Sequence, residues 1–281
     1  MGSGKIWGLT GLITASNYIE QQPNGIGEND SHLSPTPWGN CMSTSTPPDR
    51  FWTQRAISLL EIVSTRASYI AIAIAISGGA VVLSGSTLPS SPGLKILLFA
   101  ILALAALCFA LGLAVSLRYP TIGLWPPPVA GSWQFWFVWV SYTVSGIGIA
   151  VIGVLDWGTL GLDHWLIRAI GVAGLLFAVP FNEWSMRTLS DHQTLGLQGE
   201  LITDGPYRYS RNPQYVAEIL TYLGVVLITN SLLAAVIGSL VILWFLMAPL
   251  AEEPWLARQF GERFEEYSRQ VPRFLGPVNQ R

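Results

Sequence analysis

Six blocks of apolar residues, almost free of charge, constrain this chain more than any other feature. They run over about 67–85, 94–117, 133–155, 165–184, 215–229 and 231–250. A helix that crosses the hydrocarbon core of a bilayer needs roughly 20 mostly apolar residues, and these blocks approach or meet that length. The fifth is short, and only Asn230 separates it from the sixth. A single helix through Asn230 would exceed any bilayer, so a tight hairpin is expected there. With 51% hydrophobic and 11% charged residues, the expected fold is an all-α polytopic membrane bundle of about six spans. It would end in a helical hairpin and a cytoplasmic amphipathic helix.

The basic residues orient such a bundle, because cytoplasmic loops carry an excess of Lys and Arg. With the N-terminus inside, 13 of the 15 basic residues fall on the inner side, and only Lys95 and Arg168 remain outside. Both termini are therefore expected in the cytoplasm. Three regions follow: a polar stretch over 1–55, four spans within 56–190, and a loop, hairpin and C-terminal helix over 191–281. The first region is rich in Ser, Thr, Pro, Asn and Gly and reads as disordered. Its apolar residues over 6–19 are interrupted and lack a cleavage pattern, which argues against a signal peptide.

Several function classes are disfavoured. A formal net charge of −2 suggests no nucleic-acid partner. Cys41 and Cys108 suggest no disulfide framework. His32, His164 and His192 lack ligand spacing, and no phosphate-binding glycine loop or HExxH motif occurs, so no metal site is expected. Trp125, Trp133, Trp136, Trp157, Trp165 and Trp184 fall near span ends, as interfacial indoles do. Gly146, Gly148, Gly153, Gly171 and Gly174 suit close helix packing.

The remaining polar residues gather near the C-terminus. In GPYRYSRNPQYVAEIL, residues 205–220, Asn212 and Pro213 suit the first positions of a helix, as cap and first turn. Tyr215, Glu218 and Tyr222 follow at spacings of three and four, along one helical face. An ionisable residue in a span is a functional candidate with an expected partner; Glu218 also suits the positive end of the helix dipole. After the sixth block come Glu252 and Glu253, then Trp255, Leu256, Phe260, Phe264 and Tyr267 on one apolar face of an expected amphipathic helix. The hairpin returns these carboxylates to the side of Arg208 and Arg211. A ligand pocket fits that placement; so does a positive-inside loop paired with an acidic tail.

GPYRYSRNPQY and EEPWLARQFGERFEEYSRQVPRFLG resemble two motifs of the isoprenylcysteine carboxyl methyltransferase family, in the family's order and flanking a hairpin of suitable length. The resemblance covers residues 200–276, about a quarter of the chain. It implies an integral membrane methyltransferase that binds S-adenosylmethionine between the final spans and the C-terminal segment. Carried over by position, Gly205, Pro206 and Tyr207 shape the cofactor loop, with Arg208 beside them, and Asn212, Pro213 and Tyr215 line the cofactor. Glu252 and Glu253 meet its polar part, while Tyr267 and Arg273 close the pocket from the tail. Asn212 stands where the family usually has His, Ala217 where it has Gly, Phe264 where a Tyr is common, and Ala248 where many members have Arg. These departures bear on the acceptor more than on the cofactor.

The implied reaction is methyl transfer to a lipid-like or prenylated acceptor that enters from the bilayer, with carboxyl methylation leading. Methylation of phospholipid amines or of thiols is the alternative within the same chemistry. Positioning and electrostatic fit supply much of such catalysis. Arg211 or Arg208 is suited to holding an anionic acceptor group, and Glu218 to serving as a base where the acceptor must lose a proton. Two other classes compete. Sterol-type reductases that bind NADPH end in a comparable N-P-x-Y pattern, and a non-catalytic membrane binding protein would tolerate the departures.

Overall fold

Each of the six apolar blocks forms a helix in the computed structural model, which describes residues 57–59, 62–63, 66–85, 91–162 and 164–276. We number these helices α1 (Ala67–Leu83), α2 (Pro92–Arg118), α3 (Trp133–Leu155), α4 (Trp165–Thr188), α5 (Pro213–Thr229) and α6 (Leu232–Phe260), with α7 (Glu262–Gln270) after them. No strand occurs among the described residues. By length and composition α2, α3, α4 and α6 can each cross a membrane, whereas α1 and α5 are apolar but have 17 residues each, about 25 Å of helix. The chain is an integral membrane protein with an all-α fold. The polar region expected over 1–55 lies outside the described residues.

Short polar side chains start the spans. Ser91, Ser132 and Ser231 accept hydrogen bonds from the N–H groups of Leu94, Phe135 and Ala234 at the heads of α2, α3 and α6, which satisfies donors that a helix start leaves free. Asn230 takes the left-handed conformation, φ 51°, and turns the chain between α5 and α6. The α3–α4 connection seals that turn. Gly158 N–H donates to Thr229 O and Leu160 N–H to Asn230 O, while buried Asp156 accepts from Ser231 Oγ, Thr159 Oγ1 and Leu233 N–H. The expected hairpin is therefore held by a paired polar knot.

α4 lies along α5, and two glycines let them approach. A Cβ on Gly171 would sit 2.9 Å from the carbonyl oxygen of Gly224, and one on Gly224 would sit 3.0 Å from that of Gly171. α6 runs between α2, α3 and α5, burying Trp244 and Phe245 in the main core.

Two expectations need correction. α6 does not end with the apolar block but continues through Pro249 and Pro254 to Phe260, and the helix breaks at Gly261, φ 56°. The single amphipathic helix expected over Trp255–Tyr267 is thus two pieces meeting at a residue without a Cβ, the type that tolerates positive φ. Phe264, Tyr267 and Val271 fold back on Leu256, Phe260 and Leu201 as a small second core. Trp133, Trp165 and Trp184 are exposed, but Trp125 is buried among Trp139 and Trp244 and is not an interfacial indole. The stiff Pro-rich connection after it carries it inward, with its backbone N–H donating to Ser116 Oγ at 2.9 Å.

Candidate active site

The loop before α5 makes its turn at Gly205, φ 58°, and a single 3-10 turn over Gly205–Arg208 follows. That turn points Tyr207 inward and leaves Arg208 exposed beside Asp204. The tail from α7 then closes over the loop. Tyr267 OH donates to Tyr207 O at 2.7 Å, Arg211 N–H donates to Pro272 O, and Asn212 Nδ2 donates to Arg273 O at 3.0 Å. Asn212 was expected to cap α5, but its side chain makes no cap bond, because the tail carbonyl takes its amide instead.

Arg211 is the centre of this closure. Its Nη1 donates to Ser268 O and Val271 O, and its Nε and Nη2 reach Glu253 Oε1 at 3.2 and 2.7 Å. Arg273 binds the same carboxylate through Nε to Oε1 at 2.9 Å and Nη2 to Oε2 at 2.6 Å. Hydrogen bonding to Glu253 raises the pKa of Arg273. Burial raises the phenols of Tyr207 and Tyr267 well above the usual range, so both stay neutral. Glu252 faces the other way and accepts a 2.6 Å bond from Tyr215 OH.

A cleft of about 840 Å³, counted to its open mouth, lies beneath this closure. Of the residues expected at the cofactor, Tyr207, Asn212, Pro213, Tyr215, Glu252, Glu253 and Tyr267 line it, as does Arg211. Gly205, Pro206, Arg208 and Arg273 do not line it: the first two shape the turn, Arg273 braces Glu253 from outside, and Arg208 points to solvent.

Glu218 lies elsewhere. It lines a second pocket, bounded by Phe109, Trp139, Tyr142, Trp244 and Phe245, whose rings stack closely; Phe109 and Trp244 are 4.3 Å apart and nearly parallel. Asn182 Nδ2, on α4, donates to Glu218 Oε1 at 3.1 Å. The cleft and the aromatic pocket share Trp125, Thr194, Gln214 and Tyr215 as walls, so Tyr215 and Glu218, one turn apart on α5, face two adjoining cavities.

Sequence reasoning passed over Trp125, Asn182, Gln193 and Gln259. For Asn182 the signal was available, since it is a polar residue within a span, as Glu218 is. Gln193 and Gln259 sit in ordinary polar contexts that single out neither. Among the described residues no group of three or more His, Cys, Asp and Glu is placed to hold a metal ion.

Comparison with known proteins fits this arrangement. Residues 166–263 match the family model described as phospholipid methyltransferase, a stretch that holds α4, α5, α6 and the loop before α5. The nickel-cobalt-cadmium resistance protein NccN of Alcaligenes xylosoxydans xylosoxydans is 31% identical over 137 residues, 47% of this chain and 60% of that protein. The cobalt-zinc-cadmium resistance protein CzcN of Cupriavidus metallidurans is 34% identical over 39% of this chain and 49% of its own length. The protein-S-isoprenylcysteine O-methyltransferase of Schizosaccharomyces pombe is 36% identical over 74 residues, 26% of this chain and 31% of that enzyme. The chain thus spans between about a third and three fifths of the lengths of these relatives. No solved structure matches it. The resemblance to membrane methyltransferases read from the two C-terminal motifs holds, and the matched segment contains the hairpin and the carboxylates that follow it.

Proposed function

We propose that this integral membrane chain, which carries a phospholipid methyltransferase domain, transfers a methyl group from S-adenosylmethionine to an acceptor with an apolar tail. The observation that carries the reading is the pair of adjoining cavities, one richer in polar groups and bordered by the tail, the other aromatic and set among the spans, with Trp125 and Tyr215 between them. A reaction between a water-soluble donor and a membrane-borne acceptor calls for such a pair.

The cleft has the chemistry to hold the donor. Gln259 Oε1 is buried there without a hydrogen bond, and Trp125 Nε1 lies only within loose reach of Glu252 and Tyr215; buried polar atoms are normally paired. A ligand bearing an amine, a carboxylate and a purine edge would satisfy both. Glu252 would receive its cationic part, held ready by Tyr215, while Arg211, Glu253 and Arg273 fix the tail that covers it. When bound, S-adenosylmethionine supplies an electrophilic methyl: the acceptor's lone pair forms the new bond to carbon as the carbon–sulfur pair returns to sulfur. The chain's own part is to bind, align and exclude water, which can supply much of the acceleration.

In this reading the six long helices all cross the membrane, both termini face the cytoplasm, and the cleft opens to that side. Residues 56–190 shape the acceptor path, and 191–281 hold the cofactor.

Calorimetric titration of the detergent-purified protein with S-adenosylhomocysteine and, separately, with NADPH tests this. Saturable binding of the former alone is expected. Binding of NADPH alone would move the protein to reductase chemistry, and binding of neither would make it a non-catalytic membrane protein.

A further inference from the structure

The walls of the aromatic pocket contain one acidic side chain, Glu218, and no Lys, Arg or His. Arg211, the nearest candidate in sequence for an anion clamp, has every nitrogen of its side chain committed to Glu253, Ser268 O and Val271 O. At the position where a cation would be expected on α6 stands Ala248, fully buried. Arg66, at the start of α1, pairs with Glu183 at 3.4 Å. Among the described residues, therefore, the pocket offers no positive charge to an anionic head group.

What it offers instead is an acceptor of hydrogen bonds. Glu218 is 7% exposed, and its Oε1 is held by Asn182, itself 3% exposed. Its Oε2 makes no hydrogen bond of good geometry, while the hydroxyls of Ser68, Tyr142 and Tyr222 gather round the same carboxyl within reach of looser ones. Space is kept for the Tyr222 hydroxyl by Gly146, where a Cβ would collide with it. A buried carboxyl oxygen without a well-formed hydrogen bond is costly, and Glu218 lines the wall of a pocket that adjoins the cleft.

Resting on the methyltransferase reading, we infer that Glu218, set by Asn182, is the head-group subsite of the acceptor and selects a head that donates a hydrogen bond, an N–H, O–H or S–H, over a carboxylate. The head lies against Oε2, and its apolar tail lies among the rings of Phe109, Trp139 and Phe245. Such an acceptor must lose its proton when its lone pair takes the methyl, and Glu218 Oε2 receives that proton. A carboxylate head would bring a second negative charge against Glu218 with no cation to offset it.

The test is binding, independent of turnover. Detergent-solubilised protein is titrated with octylamine, octanol, octanethiol and octanoate, and partition into micelles is subtracted with protein-free controls. At least one of the first three is expected to bind tenfold or more tighter than octanoate. Glu218→Gln, which keeps the shape and removes the charge, should bring that ratio close to one. Asn182→Leu should reduce the ratio as well. Octanoate binding as tightly as the donors, no binding of any of the four, or an unchanged ratio in Glu218→Gln would overturn the inference. S-adenosylhomocysteine titrated into each protein reports folding and tests the parent reading apart: its failure to bind wild type sinks the methyltransferase assignment, whereas binding with octanoate preferred sinks only the head-group selection.

Discussion

Glu252 and Glu253 are neighbours in sequence that turn apart, the first to Tyr215 on α5 at 2.6 Å and the second to Arg211 and Arg273 at 2.7 and 2.6 Å. Adjacent helical positions point about 100° apart, so one turn of α6 both braces the cleft wall and latches the tail. Both oxygens of the second carboxylate are taken by guanidinium groups.

Glu253→Gln should therefore weaken cofactor binding by loosening the tail. The loss of one charge leaves two guanidiniums without their anion, at about 1.5–3 kcal/mol for hydrogen bonds to charged groups, or a fall of about 10- to 100-fold in affinity. Calorimetry with S-adenosylhomocysteine measures it; wild-type affinity would sink the latch.

Tyr267→Phe removes the donor to Tyr207 O and leaves the ring packed against Phe264. The expected cost is about 1 kcal/mol. Hydrogen exchange over residues 262–273 should quicken by roughly fivefold while exchange in α2 and α3 stays unchanged; uniform exchange across the chain would argue that the bond does not hold the tail.

Gly171→Ala should destabilise the bundle and Gly174→Ala should not. The first puts a methyl 2.9 Å from a backbone oxygen, whereas the second meets Leu220 O at an ordinary 3.9 Å. Overpacking of this kind costs about 1–3 kcal/mol, and alanine favours the helix over glycine by about 1 kcal/mol. Thermal melting in detergent should show the two variants moving apart; equal melting temperatures would mean that α4 and α5 do not touch at Gly171.

Orientation is checked with single cysteines in a background lacking Cys41 and Cys108. Arg208→Cys, exposed in the loop before α5, should react with a membrane-impermeant maleimide only from the cytoplasmic face. Leu162→Cys, in the α3–α4 connection, should react only from the other. Labelling of both from one side would refute the six-span arrangement.

Much of the fold was legible because apolar runs and polar interruptions are long-range signals: each of the six blocks became a helix, and Asn230 made the expected turn. Gly261 was less legible, since a glycine within an amphipathic pattern does not announce whether it bends the chain. The motifs around Arg211 and Glu253 pointed to a meeting of loop and tail, and the pairing of a basic loop with an acidic tail, which the sequence also allowed, is the contact that Arg211 and Glu253 make. Trp125 was misread because a tryptophan after a span looks interfacial from sequence, and only the path of the chain after Ser116 takes it inside. The partnership of Asn182 with Glu218 joins helices 36 residues apart, a relation of space that no local pattern encodes.

The tail's hold on Arg211 also sets an order of assembly. The carbonyl of Val271 that receives the arginine stands 60 residues downstream of it, so α1 to α6 are all made before the cleft has its cover. The segment that completes the cleft is thus the last of the described chain to be made.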